Sequence, residues 1–84
     1  MTDKDILKKQ ITYRSSHRGS KEMDILLGRF VKKYINKFDF QELNKLNDLL
    51  SLEDEVLYSW YYKKKNVKEI PVNKISEILK NFKL

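Results

Sequence analysis

Apolar side chains recur with the period of an α-helix between residues 23 and 34, and this pattern constrains the fold of the 84-residue chain more than any other feature. The spacing i, i+3, i+4, i+7, i+8 and i+11 puts on one helix face Met23, Leu26, Leu27, Phe30, Val31 and Tyr34. A helix over 21–36 with one such stripe is too short to be stable alone, so it must share a core with others. Gly28 lies inside the stripe, and we expect another helix to cross closely there.

Stripes of the same period predict helices along the rest of the chain, and no stretch alternates with the period of a strand. The apolar residues expected in these helices are Ile6, Leu7, Ile11 and Tyr13, then Phe40, Leu43, Leu46 and Leu50, then Val56, Leu57, Trp60 and Tyr61, and last Ile75, Ile78, Leu79 and Phe82. We therefore predict an all-α protein, a compact bundle of about five short helices forming a single domain over residues 1–84.

Polar residues before the stripes predict where the helices begin. Thr2 or Asp3 can cap a helix over 3–16, and Asp39 with Glu42 three residues later is typical of a capping box. Ser51, followed by an acidic run, predicts the next start, because anions are favoured in a first turn. Pro71 or Asn73 begins the last helix, and residues 66–72 are expected to form a loop.

The composition excludes several classes of site. The chain has no cysteine and His17 is its one histidine, so we expect neither a zinc site nor a His-dependent catalytic triad. The net charge of +6 permits binding to nucleic acid or to an acidic protein surface. The charges are spread over both halves, and Lys63, Lys64 and Lys65 fit a solvated helix end. We predict a protein that is not an enzyme.

The first residues and the hydropathy predict a location. The segment 1–10 lacks the apolar run of a signal peptide and is too acidic for a transit peptide. No apolar stretch approaches the ~20 residues that span a bilayer. We therefore expect a bacterial cytoplasmic protein that does not enter a membrane.

The sequence HRGSKE at residues 17–22 is the most distinctive local feature. Arginine is rare in this lysine-rich chain, yet its three arginines, Arg14, Arg18 and Arg29, lie within sixteen residues. One interpretation is structural: a helix ends, Gly19 takes a left-handed position, and Ser20 caps the next helix. Another is that Gly19 lets a foreign backbone approach between opposite charges on Arg18 and Glu22. The two interpretations are compatible.

Three other clusters of residues have the composition of possible sites. Glu22 and Asp24 are two residues apart on a helix and do not face one site. The run Glu53, Asp54 and Glu55 fits a helix start better than a metal loop, because it lacks alternating ligands and a glycine turn. The segment 60–62, Trp-Tyr-Tyr, with the lysines after it, is an alternative stacking platform for single-stranded nucleic acid, although Trp60 and Tyr61 also fit the core face.

Two blocks of the chain resemble one family. The sequence HRGSKEMDILLGRF is similar to the Arg-Gly-x-x-Glu-[Leu/Met]-Asp signature of the flavinylation factors of succinate dehydrogenase. These are called SdhE in bacteria and succinate dehydrogenase assembly factor 2 in mitochondria. The second block, LNDLLSLEDEVLYSWYYKK, resembles the family in Leu49, Leu50, Asp54, Leu57 and Trp60. His17 stands where the family usually has arginine, and Ser20 where it often has methionine.

The resemblance implies a five-helix bundle that binds the flavoprotein subunit of succinate dehydrogenase, or in some bacteria of fumarate reductase. It implies that this binding promotes covalent attachment of FAD to a histidine of that subunit. We expect the FAD to belong to the partner, with no cofactor bound tightly here. We also expect a monomer that binds neither nucleic acid nor membrane. A basic nucleic-acid-binding or antitoxin-like regulatory protein is the alternative.

The resemblance also implies a set of partner-binding residues around the Arg-Gly corner. In this hypothesis Arg18 contacts a carboxylate or carbonyl of the flavoprotein, Gly19 permits close approach, and Glu22 receives a cation. The expected partner-binding residues are Arg14, His17, Arg18, Gly19, Glu22, Asp24 and Arg29.

Overall fold

A computed structural model describes residues 2–84, and Met1 of the predicted domain lies outside them. Within this range the chain forms five helices and no strand. They are α1 (Asp3–Ser16), α2 (Lys21–Tyr34), α3 (Phe40–Leu50), α4 (Asp54–Tyr61) and α5 (Lys74–Asn81). The predicted all-α class and the number of helices are confirmed.

Side chains cap four of the five helix starts. The Thr2 hydroxyl accepts a hydrogen bond from the Asp5 N–H (3.2 Å), and Asp39 and Glu42 form the expected reciprocal box before α3 (2.8 and 2.9 Å). Ser20 caps α2 and Asn73 caps α5. The prediction that Ser51 begins α4 is wrong, because the Ser51 N–H bonds to carbonyls at the end of α3 and Ser51 is the C-cap of that helix.

All five helices contribute to one core, and the clearest sequence stripe contributes most to it. The buried apolar residues of α2 are Met23, Leu26, Leu27, Phe30 and Val31. Helix α1 packs against α2 and α3, and α3 packs against α5. Burying these side chains stabilises the fold by about 1.5–3 kcal/mol each before conformational entropy is subtracted.

Three details of the packing differ from the sequence prediction. Phe40 was expected inward but is 46% exposed, because it is the first residue of α3 and lies at the rim of the core. Ile6 and Tyr13 are exposed, because the inward face of α1 follows the i, i+4, i+8 row of Leu7, Ile11 and Ser15. The close crossing expected at Gly28 is not found, since a Cβ there would have no atom within 4 Å.

No helix in residues 2–84 combines the length and the apolar character that crossing a bilayer requires.

Candidate functional site

The connection between α1 and α2 (residues 17–20) and the first turn of α2 (residues 21–24) together form what we call the Arg-Gly corner. Helix α1 ends at Ser16 with His17 as its C-cap (φ −120°, ψ 59°). The Ser20 hydroxyl accepts a hydrogen bond from the Met23 N–H (3.3 Å) and begins α2. The left-handed conformation predicted for Gly19 is wrong, because neither glycine of the chain has a positive φ. The turn is closed by side chains instead.

The Arg18 side chain links the corner to the end of α3 and the start of α4. Its guanidinium bonds to the Asp54 carboxylate through Nε and Nη2, both 2.6 Å from Oδ1. The same group donates to the carbonyl oxygens of Leu50 (2.7 Å) and Leu52 (2.9 Å), and more weakly to that of Arg14 (3.3 Å). The Arg18 side chain is only 8% exposed. One side chain therefore joins the end of α1, the end of α3, the loop after it and the first residue of α4.

Within this chain the Arg18 guanidinium already meets groups of the kind that the sequence hypothesis assigned to the flavoprotein, and its contact with that partner stays a prediction. The carboxylate and the carbonyls that its guanidinium meets belong to this chain. An arginine can be buried at small net cost when its charge is paired and its donors are bonded, whereas redirecting it to another protein would leave Asp54 without its partner. In this structure Arg18 positions the corner from within.

Gly19 has a matching internal role. Its backbone N–H donates a hydrogen bond to Asp54 Oδ2, so one carboxylate binds two successive residues of the corner. A Cβ on Gly19 would lie 3.1 Å from that same oxygen. The glycine thus allows Asp54 to approach closely, which is the role that the sequence assigned to a foreign backbone. Gly19 itself remains exposed to solvent.

Asp24 also points into the corner. Its Oδ1 accepts a hydrogen bond from the Arg18 backbone N–H at 2.7 Å. Asp24 lies in the first turn of α2, where a negative charge is favoured by the helix dipole. Asp24 therefore binds the backbone of Arg18, and Asp54 binds its side chain.

The remaining predicted residues face solvent. Glu22 is exposed on the first turn of α2, and Arg29 is exposed two turns further along. Arg14 donates from Nη1 to Asn47 Oδ1 at 3.1 Å, which links α1 to α3. His17 stacks on the exposed Tyr13 ring at a centroid distance of 3.9 Å. The structure brings Glu22, Gly19 and His17 to the corner, and it puts Arg29 farther along α2.

A shallow groove beside Glu22, which we call the acidic groove, was not identified from the sequence. It lies between the start of α2 and one side of α4. Its lining has three carboxylates and one ammonium group and consists of Ser20, Glu22, Asp54, Glu55, Tyr58, Ser59 and Lys63. Glu22 and Glu55 are exposed carboxylates on its rim. The second sequence block supplies the α4 side of this groove, so the pairing of the two blocks was the signal that could have revealed it.

A tyrosine at the end of α4 is hydrogen-bonded to the start of α2. The Tyr62 hydroxyl donates to the Glu22 carbonyl at 3.4 Å. Burial raises the pKa of Tyr62 above its usual value of 10.0, with smaller contributions from neighbouring tyrosines and Glu22. The phenol is therefore protonated at neutral pH and can act as a donor.

The other sequence clusters are structural in the fold. Glu53 is the N-cap of α4, and Asp54 and Glu55 occupy its first turn, as the helix-start interpretation predicted. Trp60 is buried in the core, and the Tyr61 hydroxyl bonds to the Phe82 carbonyl, so these rings do not form an open stacking platform. Within residues 2–84 no three His, Asp or Glu side chains are grouped as metal ligands would be.

The comparisons with known proteins agree on one family. Residues 9–83 match a family model described as flavinator of succinate dehydrogenase. A mitochondrial succinate dehydrogenase assembly factor 2 from Scheffersomyces stipitis is 40% identical over 77 residues, which cover 90% of this chain and 52% of the relative. The protein of the same name from Dictyostelium discoideum is 36% identical over 74 residues, covering 88% of this chain and 50% of the relative.

A bacterial relative matches less of the chain. The FAD assembly factor SdhE of Acetobacter pasteurianus is 31% identical over 55 residues, 66% of this chain and 50% of the relative. The chain thus spans about half the length of these curated relatives. No solved structure matches it with significance. These matches confirm the resemblance drawn from the two blocks and do not favour the nucleic-acid alternative.

The predicted location is corrected by the same matches. We expected a bacterial cytoplasmic protein, but the relatives that cover most of the chain, from yeasts and Dictyostelium discoideum, are named mitochondrial. The acidic first residues, from which the location was inferred, are not a reliable guide to the compartment.

Proposed function

This chain belongs to the family of flavinators of succinate dehydrogenase, and on that premise we propose that it is an assembly factor for the flavoprotein subunit of that enzyme. It binds the immature subunit and promotes the covalent attachment of FAD to it. We further propose that it acts in the mitochondrion, the compartment in the names of its relatives.

The observation that carries the proposal is the way the two family-like blocks interlock. Asp54 of the second block binds the Arg18 side chain and the Gly19 backbone of the first. The result is a rigid corner whose outer surface presents the Gly19 backbone and the Glu22 carboxylate beside Glu55. A preorganised surface loses little conformational entropy on binding, which favours recognition of one partner.

The exposed carboxylates define what this surface can bind. Glu22 and Glu55 stand on the rim of the acidic groove, and Tyr58 is part of its lining. Exposed carboxylates suit a guanidinium or ammonium group through charge-assisted hydrogen bonds. The Tyr58 ring is already covered by the chain's own Lys63 ammonium, 5.9 Å from its centroid. In this proposal a basic side chain of the flavoprotein docks at the corner, as the sequence hypothesis for Glu22 expected.

The role of the chain is to raise the population of a reactive arrangement. Covalent attachment requires the partner's histidine and the flavin to be held in near-attack geometry. A factor that binds the competent conformation of an immature subunit more tightly than other conformations shifts the equilibrium toward it. The chemistry and the FAD belong to the flavoprotein in this scheme, and the chain acts as a monomeric, non-enzymatic partner.

A reconstituted flavinylation assay tests the proposal. The apo-flavoprotein subunit of the same organism is mixed with FAD, with and without this chain, and covalent flavin is followed by fluorescence of the denatured subunit on a gel. We expect faster attachment with the wild-type chain. With Glu22→Arg at a limiting concentration of the chain, we expect a loss of about tenfold or more in the rate of attachment, because the reversal turns an attraction into a repulsion. The matched control is Glu69→Arg, the same change at an exposed residue of the α4–α5 loop.

The control separates a corner effect from a general effect of charge. Glu69→Arg is expected to bind and to promote flavinylation like the wild type. Equal rates with and without the wild-type chain would contradict the proposed function. Equal losses in the two variants would instead contradict the placement of the docking surface at the corner.

A further inference from the structure

A second groove lies between the end of α2 and helix α5, and nothing in the flavinylation scheme above uses it. We call it the α2–α5 groove, and the lining residues used here are Lys33, Tyr34, Lys74, Ile78, Phe82 and Lys83. This groove and the Arg-Gly corner lie at opposite ends of α2. Because α2 has 14 residues, the two surfaces are about 20 Å apart.

The floor of the α2–α5 groove is aromatic and fixed in place. The Tyr34 ring stacks on the buried Phe38 at a centroid distance of 5.2 Å and an interplanar angle of 9°. The Phe82 ring meets the buried Phe30 edge to face at 5.3 Å, and its backbone carbonyl accepts the hydrogen bond from Tyr61. A floor whose rings are packed against the core is already formed before any ligand arrives.

The rim of the groove is positively charged. The Lys33 ammonium lies 5.4 Å from the Tyr34 ring centroid and 5.7 Å from that of Phe82, so it stands directly over the floor. Contact with a ring orients an ammonium group but does not neutralise its charge. Lys74 bonds to Glu42 at 2.9 Å and is still 70% exposed, and Lys83 is exposed on the other side. Glu77 is the one acidic side chain in the lining.

We propose that the α2–α5 groove is a second docking surface for the flavoprotein, and that it takes an acidic segment carrying an apolar or aromatic side chain. The apolar side chain takes the place of the Lys33 ammonium over Tyr34 and Phe82. The exposed Lys33 side chain turns aside to meet one flanking carboxylate, and Lys83 meets another. This inference rests on the proposed function for the identity of the partner. Charge complementarity selects the segment, since the groove is basic while the corner at the other end of α2 is acidic.

The geometry favours a protein segment over the other anionic partners of a basic surface. A nucleic acid or a lipid surface is bound mainly by many cations tracking many phosphates. Here a few lysines surround a small aromatic floor, which offers too few cations to follow a row of phosphates. An aromatic floor with a charged rim resembles the centre and the edge of a protein–protein interface.

A charge-reversal experiment tests the α2–α5 groove against a matched control. Lys33→Glu/Lys83→Glu is compared with Lys4→Glu/Lys65→Glu, which makes the same change in net charge at exposed lysines outside the groove. Circular dichroism first establishes that both variants are folded. We expect the groove variant to bind the purified flavoprotein subunit about tenfold more weakly than the control, with a shallower dependence of Kd on salt.

Zero-length carbodiimide cross-linking identifies the chemistry of the occupant directly. In the complex of wild-type chain and flavoprotein, we expect Lys33 or Lys83 to be joined to an aspartate or glutamate of the flavoprotein. Vesicles containing anionic phospholipid provide the competing arm. Loss of vesicle binding in the groove variant with unchanged flavoprotein affinity would overturn the proposal in favour of a lipid surface.

The outcomes distinguish this inference from the function on which it rests. If the wild-type chain promotes flavinylation but both double variants bind alike, and no cross-link forms from the groove lysines, the α2–α5 groove is not a docking surface and the proposed function stands. A wild-type chain that neither binds the flavoprotein nor promotes flavinylation overturns both.

Discussion

Arg18 is a charged side chain that the fold buries, and the reason it can be buried is that acceptors surround its guanidinium. Asp54 supplies the negative charge, and the Leu50 and Leu52 carbonyls occupy other donors. A buried ion pair adds little net stability over an apolar pair, but losing one member leaves the other charge without compensation. At the scale of single residues, the Arg18–Asp54 pair is therefore the charged contact of the corner whose loss costs most.

Removing the carboxylate of Asp54 tests this contact. We expect Asp54→Ala to lower the free energy of unfolding by about 2–3 kcal/mol, somewhat less than for a fully buried pair, because the Asp54 side chain is 23% exposed. Arg14→Ala is the comparison, since it removes an arginine that makes one exposed hydrogen bond, and a loss of about 0.5–1 kcal/mol is expected. Urea denaturation measures both, and equal losses would contradict the special role of the Arg18–Asp54 pair.

Replacing each of the two glycines by alanine is expected to change the free energy of unfolding in opposite directions. Gly28 is inside α2 with open space around its missing Cβ, so Gly28→Ala should raise the free energy of unfolding by about 1 kcal/mol. Gly19→Ala should lower it, because the new Cβ would be 3.1 Å from Asp54 Oδ2, and Arg18 holds that carboxylate in place through Oδ1. Thermal melting of both variants shows whether each substitution raises or lowers the stability. A higher melting temperature for Gly19→Ala would contradict the prediction and show that Asp54 can move away.

At the scale of helices, the sequence predicted the capping box of α3, the buried face of α2 and the range of α1, because these features depend on residues close together in the chain. Each capping box joins residues three apart, so Asp39 with Glu42 could be identified without knowledge of the fold. The stripe of α2 predicted its buried face for the same reason. The predicted range of α1, 3–16, is the observed one.

Features that depend on distant residues could not be predicted in this way. Arg18 and Asp54 are 36 residues apart, and nothing local indicates that they meet. Without that pairing, the bare backbone of Gly19 suggested a left-handed cap, and its contact with Asp54 could not be foreseen. Ser51 was misassigned because a serine before acidic residues is typical of a helix start, while here α3 continues up to it.

The link between α3 and α5 predicts a pH dependence at the helix scale. Hydrogen bonds from the Asp39 backbone and from Lys74 hold the pKa of Glu42 below its ordinary value of 4.5. The hydrogen bond with Glu42 raises the pKa of Lys74 above 10.5. A carboxyl group whose pKa is lower in the folded state stabilises the fold at pH values above its unfolded-state pKa, and this contribution is lost as the pH falls through its folded-state pKa. A lysine whose pKa is higher in the folded state stabilises the fold at pH values below its unfolded-state pKa, and this contribution is lost as the pH rises through its folded-state pKa.

Glu42→Gln should therefore reduce the pH dependence of stability on the acid side. As the pH is lowered through and below 4.5, the wild-type chain loses the contribution of Glu42, and the variant has none to lose. Melting temperatures measured in a series of acidic buffers give the two slopes. Parallel curves for the two proteins would contradict a stabilising role for the Glu42 carboxylate.

For the whole molecule, the net charge of +6 conceals an uneven distribution. Carboxylates line the groove beside the Arg-Gly corner, and lysines rim the groove at the other end of α2. A small rigid body with two surfaces of opposite sign can bind a partner in one orientation only, because the reversed orientation brings like charges together. An orientation fixed at two points about 20 Å apart would restrain the relative position of two parts of a flavoprotein.

The most direct test of the account is the amount of covalent flavin on the flavoprotein subunit in cells that lack their own assembly factor. The subunit is co-expressed with the wild-type chain, with Glu22→Arg, with Glu69→Arg or with no factor, and flavin fluorescence is measured on a denaturing gel. The account predicts strong fluorescence with the wild type and with Glu69→Arg, and weak fluorescence with Glu22→Arg and without the factor. Equal fluorescence in all four samples would contradict it.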